Sequence, residues 1–205
     1  MTTRTIAVVS AGLSNPSSTR LLADRLSAAA VAALRARGDD ATVEVVELRD
    51  HARDLADNLT TGFADVPLQA AIDTVVGADA VIAVTPVFSA SYSGLFKTFF
   101  DVLDKDALIG TPVLLGATAG TARHSLVVEF ALRPLFAYLR AVPVPTGVFA
   151  ASEDWAGSGG GALADRVDRA AGELADVLAG RPAAQQPADP FADPTTSFEE
   201  LLGGR

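Results

Sequence analysis

The sequence predicts a doubly wound α/β domain, a parallel sheet with helices on both faces. Two observations carry that reading. Short apolar runs alternate along the chain with longer segments of helical periodicity, the pattern of successive βαβ units. Four of the five runs are almost wholly apolar and lack the in-and-out alternation of a half-exposed strand, as strands do when helices cover both sides of a sheet. With 205 residues, the chain has the length of one domain and a short appendage.

Taken in order, the first strand is expected at Thr5–Val9, followed by the Ser/Asn-rich stretch Ser10–Thr19 and an Ala/Leu/Arg helix at Ser18–Arg37. The second strand, Thr42–Leu48, carries Glu44 and Glu47 and so suits a sheet edge. Pro67, at the N1 position, opens a helix that closes near Gly77. The third strand, Ala80–Thr85, is expected to stop at Pro86, and Ser93 to cap a helix running to Leu103. A fourth strand at Val113–Ala117, a helix at Ser125–Arg140, a fifth strand at Thr146–Ala150 and a helix at Ala162–Ala179 complete the domain. Beyond Gly180 the chain turns to Pro, Ala, Gln and Asp, which cannot build a core. The expected division is therefore a domain over 1–180 and a flexible tail over 181–205. Within that tail Ser197, Phe198, Leu201 and Leu202 have the spacing of one short helical turn, either a frayed end or an arm that docks on a neighbour.

Composition removes whole classes of function. Sixteen Lys and Arg against 25 Asp and Glu leave a net charge of −9, which repels phosphodiester backbones and anionic lipid. Nucleic acid and membrane surfaces are not expected partners. There is no cysteine and there are only two histidines, His51 and His124, so thiolate chemistry, disulfides and metal sites are not expected either. The N-terminal apolar run is too short for a signal peptide, and no stretch approaches the ~20 residues that span a bilayer; the expected location is the cytoplasm.

In open α/β sheets ligands bind beyond the carboxyl ends of the strands, which directs attention to three loops. The first, SAGLSNPSST over Ser10–Thr19, brings hydroxyls and backbone N–H groups to a helix start, a ready phosphate site. It contains neither GxGxxG nor GxxxxGK[ST], so a single phosphate monoester fits better than a dinucleotide pyrophosphate. The second runs from Thr85 to Asp104 and offers backbone groups to ring edges and Phe88 or Tyr92 to ring faces, as a flat aromatic ligand requires. The third, GATAGTARHS over Gly116–Ser125, has glycines that permit close approach to the same ring.

Arranged in this order, with a second loop that begins TPVFSASYSGLFKTFFD, the chain resembles the NADPH-dependent FMN reductase family of flavodoxin-like proteins. The likeness covers Thr5 to Gly180 and is most specific at Thr85–Asp101. More narrowly, it is similar to the FMN reductases that feed luciferase-like monooxygenases. The resemblance implies a five-stranded sheet of order 2-1-3-4-5, FMN or FAD reduced by NADPH or NADH, and a homodimer or homotetramer with the flavin ring near the subunit boundary. It also implies that Ser10, Ser17, Ser18 and Thr19 hold the FMN phosphate. Pro86, Val87, Phe88 and Ser89 would then line one edge of the ring, and Thr118, Ala119, Gly120 and Thr121 the other. One departure stands out: many members place Arg in the phosphate loop where this chain has Leu13. Either Arg20 takes over from the helix start, or hydroxyls and amides hold the phosphate alone.

No catalytic acid or base is expected, because hydride passes between the two nucleotides while protein orients and shields them. Two other readings use the same ring site: a flavodoxin-type electron carrier, disfavoured by the absence of a TxTGxT loop, and a quinone or azo-dye reductase. Elsewhere, Lys97 is expected to ion-pair or meet an interface, and His51 to lie on the surface. Arg123 and His124 stand where a cation would meet the NADPH 2′-phosphate, or are simply solvated. Trp155 is expected to pack beneath the glycine-rich segment after it. Leu95, Phe96, Phe99 and Phe100 are expected to offer apolar surface to more than one side of their helix, one side serving a subunit contact.

Overall fold

The computed structural model describes residues 2–155 and 159–180. The 181–205 tail and its expected terminal turn lie outside the described residues. Seven strands build the sheet: β1 (Thr3–Ser10), β2 (Asp40–Glu47), β3 (Ala80–Phe88), β4 (Ser91–Tyr92), β5 (Pro112–Ala119), β6 (Val142–Pro143) and β7 (Val148–Ala151). Five run in the order β2-β1-β3-β5-β6, with β4 paired to β3 and β7 to β5. The helices are α1 (Ser18–Arg35), α2 (Ala52–Thr61), α3 (Val66–Val76), α4 (Gly94–Val102), α5 (Arg133–Tyr138) and α6 (Gly159–Ala179).

The expected count of five strands in order 2-1-3-4-5 is corrected in two places. The last strand comes as two pieces along one edge: β6 pairs with Pro112 and Val113, and β7 with Gly116–Ala119. Pro145 and Gly147 lie in the gap between them, and proline has no N–H for a ladder. The third strand does not stop at Pro86 but continues to Phe88. There β1 has already ended, with Ser10 opposite Val84, so a missing N–H falls at the sheet rim where it is tolerated. The extension folds back as an antiparallel hairpin, Val87 opposite Tyr92 and Phe88 opposite Ser91.

Strand residues alternate between two cores. Ile6, Val8, Ile82 and Val84 face α1 and α6, which supply Leu22, Leu26, Leu163 and Leu174. Ala7, Val9, Val81 and Ala83 face the opposite layer, with Leu55, Leu68, Phe96 and Phe136. This second layer corrects the expectation for α4, because Phe96, Phe99 and Phe100 are all buried. Their rings pack on one another and, through Phe96 and Phe100, on Phe136 at centroid distances of 4.8 to 6.3 Å, while Leu95 is half-buried against the same core. Leu132 and Leu139 are buried with them.

Two helical segments also depart from expectation. Helix α2 is additional; Leu55 is its one buried residue, too little for a periodic stripe to be read. The continuous helix expected over Ser125–Arg140 is instead a π-helical stretch (Val128–Leu132) followed by α5, with a separate 3-10 turn (Ala122–His124) before it. Pro134 accounts for the break: it donates no N–H, and its ring crowds the carbonyl four residues earlier, which a wider turn relieves. At the opposite end of the sheet from the loops, Arg4 pairs with Asp79 at 3.4 Å, the side chains only 4% and 6% exposed. Arg4 also donates to the Leu178 carbonyl oxygen, which ties β1 and β3 to the end of α6.

Candidate functional site

The three loops converge on one pocket of about 380 Å³ at the carboxyl end of the sheet, within the size range of small-molecule sites. Helix α1 sets its first wall. Ser17 is the cap, in extended conformation, and its Oγ accepts from the Arg20 N–H at 3.2 Å. The N–H groups of the first turn have no helical acceptor and point outward. Gly12 is required here, because a Cβ at that position would meet Ser17 Oγ at 2.1 Å; the loop closes on its own cap only when residue 12 has no side chain. Ser17, Ser18 and Thr19 all line the pocket.

The second wall is the β3–β4 hairpin. Thr85 is buried and holds its base: its Oγ1 accepts from the Ser93 N–H at 3.0 Å and donates to the Pro86 carbonyl oxygen at 2.9 Å. Ser93 in turn caps α4 through the Phe96 N–H. Pro86, Val87 and Phe88 line the pocket, Phe88 being 47% exposed. At the tip Ser89 and Ala90 have φ of 48° and 66°, a left-handed pair that L-residues rarely adopt.

The third wall is the end of β5. Thr118, Ala119 and Gly120 line the pocket. Space beyond Gly120 is open, with nothing within 4 Å of where a Cβ would sit, whereas Gly116 is packed against Val84 and Leu26 and serves the sheet. Thr118 Oγ1 lies 2.8 Å from Thr19 Oγ1 in a buried hydrogen bond. A residue expected at the ring thereby clasps one expected at the phosphate, and the first and third loops are locked together.

Nine of the twelve expected residues therefore meet in one cavity, and three do not line it. Ser10 is fully buried at the end of β1, and its Oγ has no hydrogen-bond partner among the described residues. Ser89 sits at the exposed hairpin tip, and Thr121 is exposed beyond the strand end. Leu13, Ser14 and Ser152 line the pocket as well. Ser152 was not legible in sequence, since only the sheet brings the turn after β7 beside β5. Of the other conspicuous residues, Lys97 bonds Asp101 at 2.6 Å. His51 is half-buried rather than on the surface, with Nδ1 3.7 Å from Asp54. Trp155 packs under the Arg25 guanidinium at 4.9 Å and against the α1/α6 core. Arg20 is held by Asp24 at 2.7 Å and Glu47 at 2.6 Å, and these hydrogen bonds, Asp24 first, hold its guanidinium above the ordinary arginine range.

The lining fits a flat ligand with an anionic tail. Hydroxyls gather at a helix start on one side, apolar and small residues on the other, and none of the described lining residues is a carboxylate that would repel phosphate. Among the described residues no three His, Asp or Glu stand where they could hold a metal, and no helix is long and apolar enough to cross a membrane.

An α/β sandwich of flavodoxin-like architecture with a pocket of this composition defines a flavin-binding class of protein. The model of the NADPH-dependent FMN reductase family matches residues 4–156, and the chain belongs to that family. It is 41% identical over 152 residues to an FMN reductase (NADPH) of Pseudomonas aeruginosa, covering 73% of this chain and 78% of that protein. It is 37% identical over 177 residues to the NADH-dependent FMN reductase SfnE of Pseudomonas putida, covering 85% and 92%. Among solved structures, an oxidoreductase from Corynebacterium diphtheriae superposes with a TM-score of 0.85 at 51% identity, covering 88% of this chain and 99% of that one. The protein is an NAD(P)H-dependent FMN reductase, with FMN and a nicotinamide nucleotide as its redox partners.

Proposed function

We infer that the pocket is where flavin reduction takes place, with the FMN phosphate on Ser17, Ser18 and Thr19. The ring then lies between Pro86, Val87 and Phe88 on one edge and Thr118, Ala119 and Gly120 on the other. The observation that carries this reading is the single cavity shared by the three loops. Ser10 and Ser89 would act indirectly, Ser10 beneath the loop and Ser89 at the hairpin tip, while Thr121 would meet the ligand only at the rim. When bound, FMN supplies the hydride acceptor and the nicotinamide the hydride. The chain's own part is to seat the phosphate on neutral donors at the positive end of α1, hold the ring edge with strand backbone, and keep water from the ring faces.

The assembled protein is read as a homodimer or homotetramer in the cytoplasm that passes reduced flavin to a separate monooxygenase, the domain ending at 180 and the 181–205 tail appended to it. Support for association comes from Leu126, Phe130 and Tyr138, which are 63%, 77% and 81% exposed around the π-helical stretch and α5, more apolar surface than scattered single residues present. Support for a diffusing product comes from the pocket mouth, where Leu13 and Phe88 stand about half exposed. The test is steady-state oxidation of NADPH and NADH with FMN, FAD, riboflavin and menadione. FMN is expected to be the best acceptor; menadione reduced faster than FMN by protein that retains its flavin would replace this reading with a quinone reductase.

A further inference from the structure

The phosphate end of the pocket has no charged wall. Its described lining offers hydroxyls and backbone but no lysine or arginine, and Leu13 stands beside Ser14 at the mouth. A phosphate monoester carries nearly two negative charges near neutral pH, and the protein as a whole carries −9. Arg20, the arginine that α1 brings to this end, is hydrogen-bonded to both Asp24 and Glu47, and their charges oppose its own.

A different arginine reaches the loop. Arg49 lies in the 3-10 turn Leu48–His51 that follows β2. Strands β1 and β2 run in parallel register with Ser10 opposite Glu47, so the turn after β2 and the loop after β1 leave the sheet side by side. From there Arg49 Nη1 donates to the Ser14 carbonyl oxygen at 3.1 Å. Its neighbouring carboxylate, Asp50, is 3.6 Å from Nε, beyond hydrogen-bond range, and largely in solvent. The guanidinium has five donors; one holds the loop, and among the described residues the others meet no carboxylate within hydrogen-bond distance, Asp50 standing as an ion-pair partner at 3.6 Å.

We propose that Arg49 is the phosphate-recognising cation of this pocket. It grips the loop through Ser14 and turns its remaining donors and its charge toward the flavin 5′-phosphate, a role that Leu13 and Arg20 cannot fill. The proposal rests on the reading that the Ser14–Thr19 end seats that phosphate.

Flavin fluorescence titrations of the full chain test it, with FMN and riboflavin as probes and with Arg49→Ala, Asp50→Asn and Ser17→Ala compared to the parent. Arg49→Ala is expected to weaken FMN about ten-fold, the lower range of a charge-assisted bond, and to flatten the salt dependence of FMN binding. Riboflavin binding should stay within about two-fold. Asp50→Asn keeps Arg49 in place and removes the opposing charge, so FMN should bind tighter by about two-fold, which gives a second reading if Arg49→Ala folds poorly. Equal loss of both flavins in Arg49→Ala would show a loop tether and overturn the proposal. No loss in Arg49→Ala while Ser17→Ala selectively weakens FMN would overturn it and leave the phosphate loop standing. No discrimination by either Ser17→Ala or Arg49→Ala would overturn the loop assignment itself, and the proposal with it.

Discussion

The two ends of the pocket are built on opposite principles. At the end proposed to seat the phosphate, Ser17 caps α1 in the ordinary way, its Oγ accepting from the Arg20 N–H, and Thr118 clasps Thr19 across the site. At the ring end a strand overruns its sheet and turns back through two residues at positive φ, leaving Phe88 half exposed. One end follows ordinary helix-capping geometry; the other stores backbone strain on a firm base. Strain of this kind persists only where the surroundings over-determine it, and here Thr85, Ser93 and the phenylalanine cluster do so.

The sharpest way to break the contrast is to remove that base. Phe96 is fully buried, touches Tyr92 of the hairpin at 5.9 Å between ring centroids, and sits among Phe100 and Phe136. Phe96→Ala should cost about 3 to 5 kcal/mol of stability. Phe88→Ala, on the same hairpin but half exposed, should stay within about 0.5 kcal/mol and lower turnover instead. Parallel melting curves and NADPH oxidation rates decide between them, and equal stability losses would put Phe88 in the core.

A smaller effect tests the other end. Ser17→Ala should weaken FMN by about 1 to 3 kcal/mol through the lost phosphate contact, while leaving riboflavin unaffected. Loss of the cap should also lower protein stability by roughly 1 kcal/mol. A matched drop for both flavins would mean that Ser17 shapes the loop without touching the phosphate.

The smallest effect concerns the hairpin tip. A two-residue turn with both φ positive favours Asn-Gly, because glycine has no Cβ to clash, and this chain has Ser89-Ala90. Ala90→Gly should raise stability by roughly 0.5 to 1 kcal/mol, the relieved strain being partly offset by a more flexible unfolded chain. Slower turnover in the same variant would show that the tip's rigidity serves the reaction; a lower melting temperature would show that the tip is not strained.

Much of the architecture was legible in the chain because apolar periodicity is a local signal. The buried runs at Thr5–Val9, Ala80–Thr85 and Val113–Ala117 fall inside β1, β3 and β5, and Ser93 caps α4 as expected, its Oγ accepting from the Phe96 N–H. The misses share a cause. Helix α2 buries one leucine and so shows no stripe, and the Ser89-Ala90 turn lacks the residues that announce a hairpin.

By itself the sequence determined the layered class, the three loops that meet at the pocket and the hydroxyl character of the Ser17–Thr19 wall, since each depends on residues close together in the chain. Only the tertiary structure decided which side the phenylalanines of α4 face, that Thr118 clasps Thr19, that Ser152 joins the lining, and that Arg20 is held by Glu47 while Arg49 reaches Ser14. Each of those pairings joins residues from different elements of the fold, well separated along the chain. Which partner a side chain meets there depends on strand order and register, and neither is written in the spacing of any single segment.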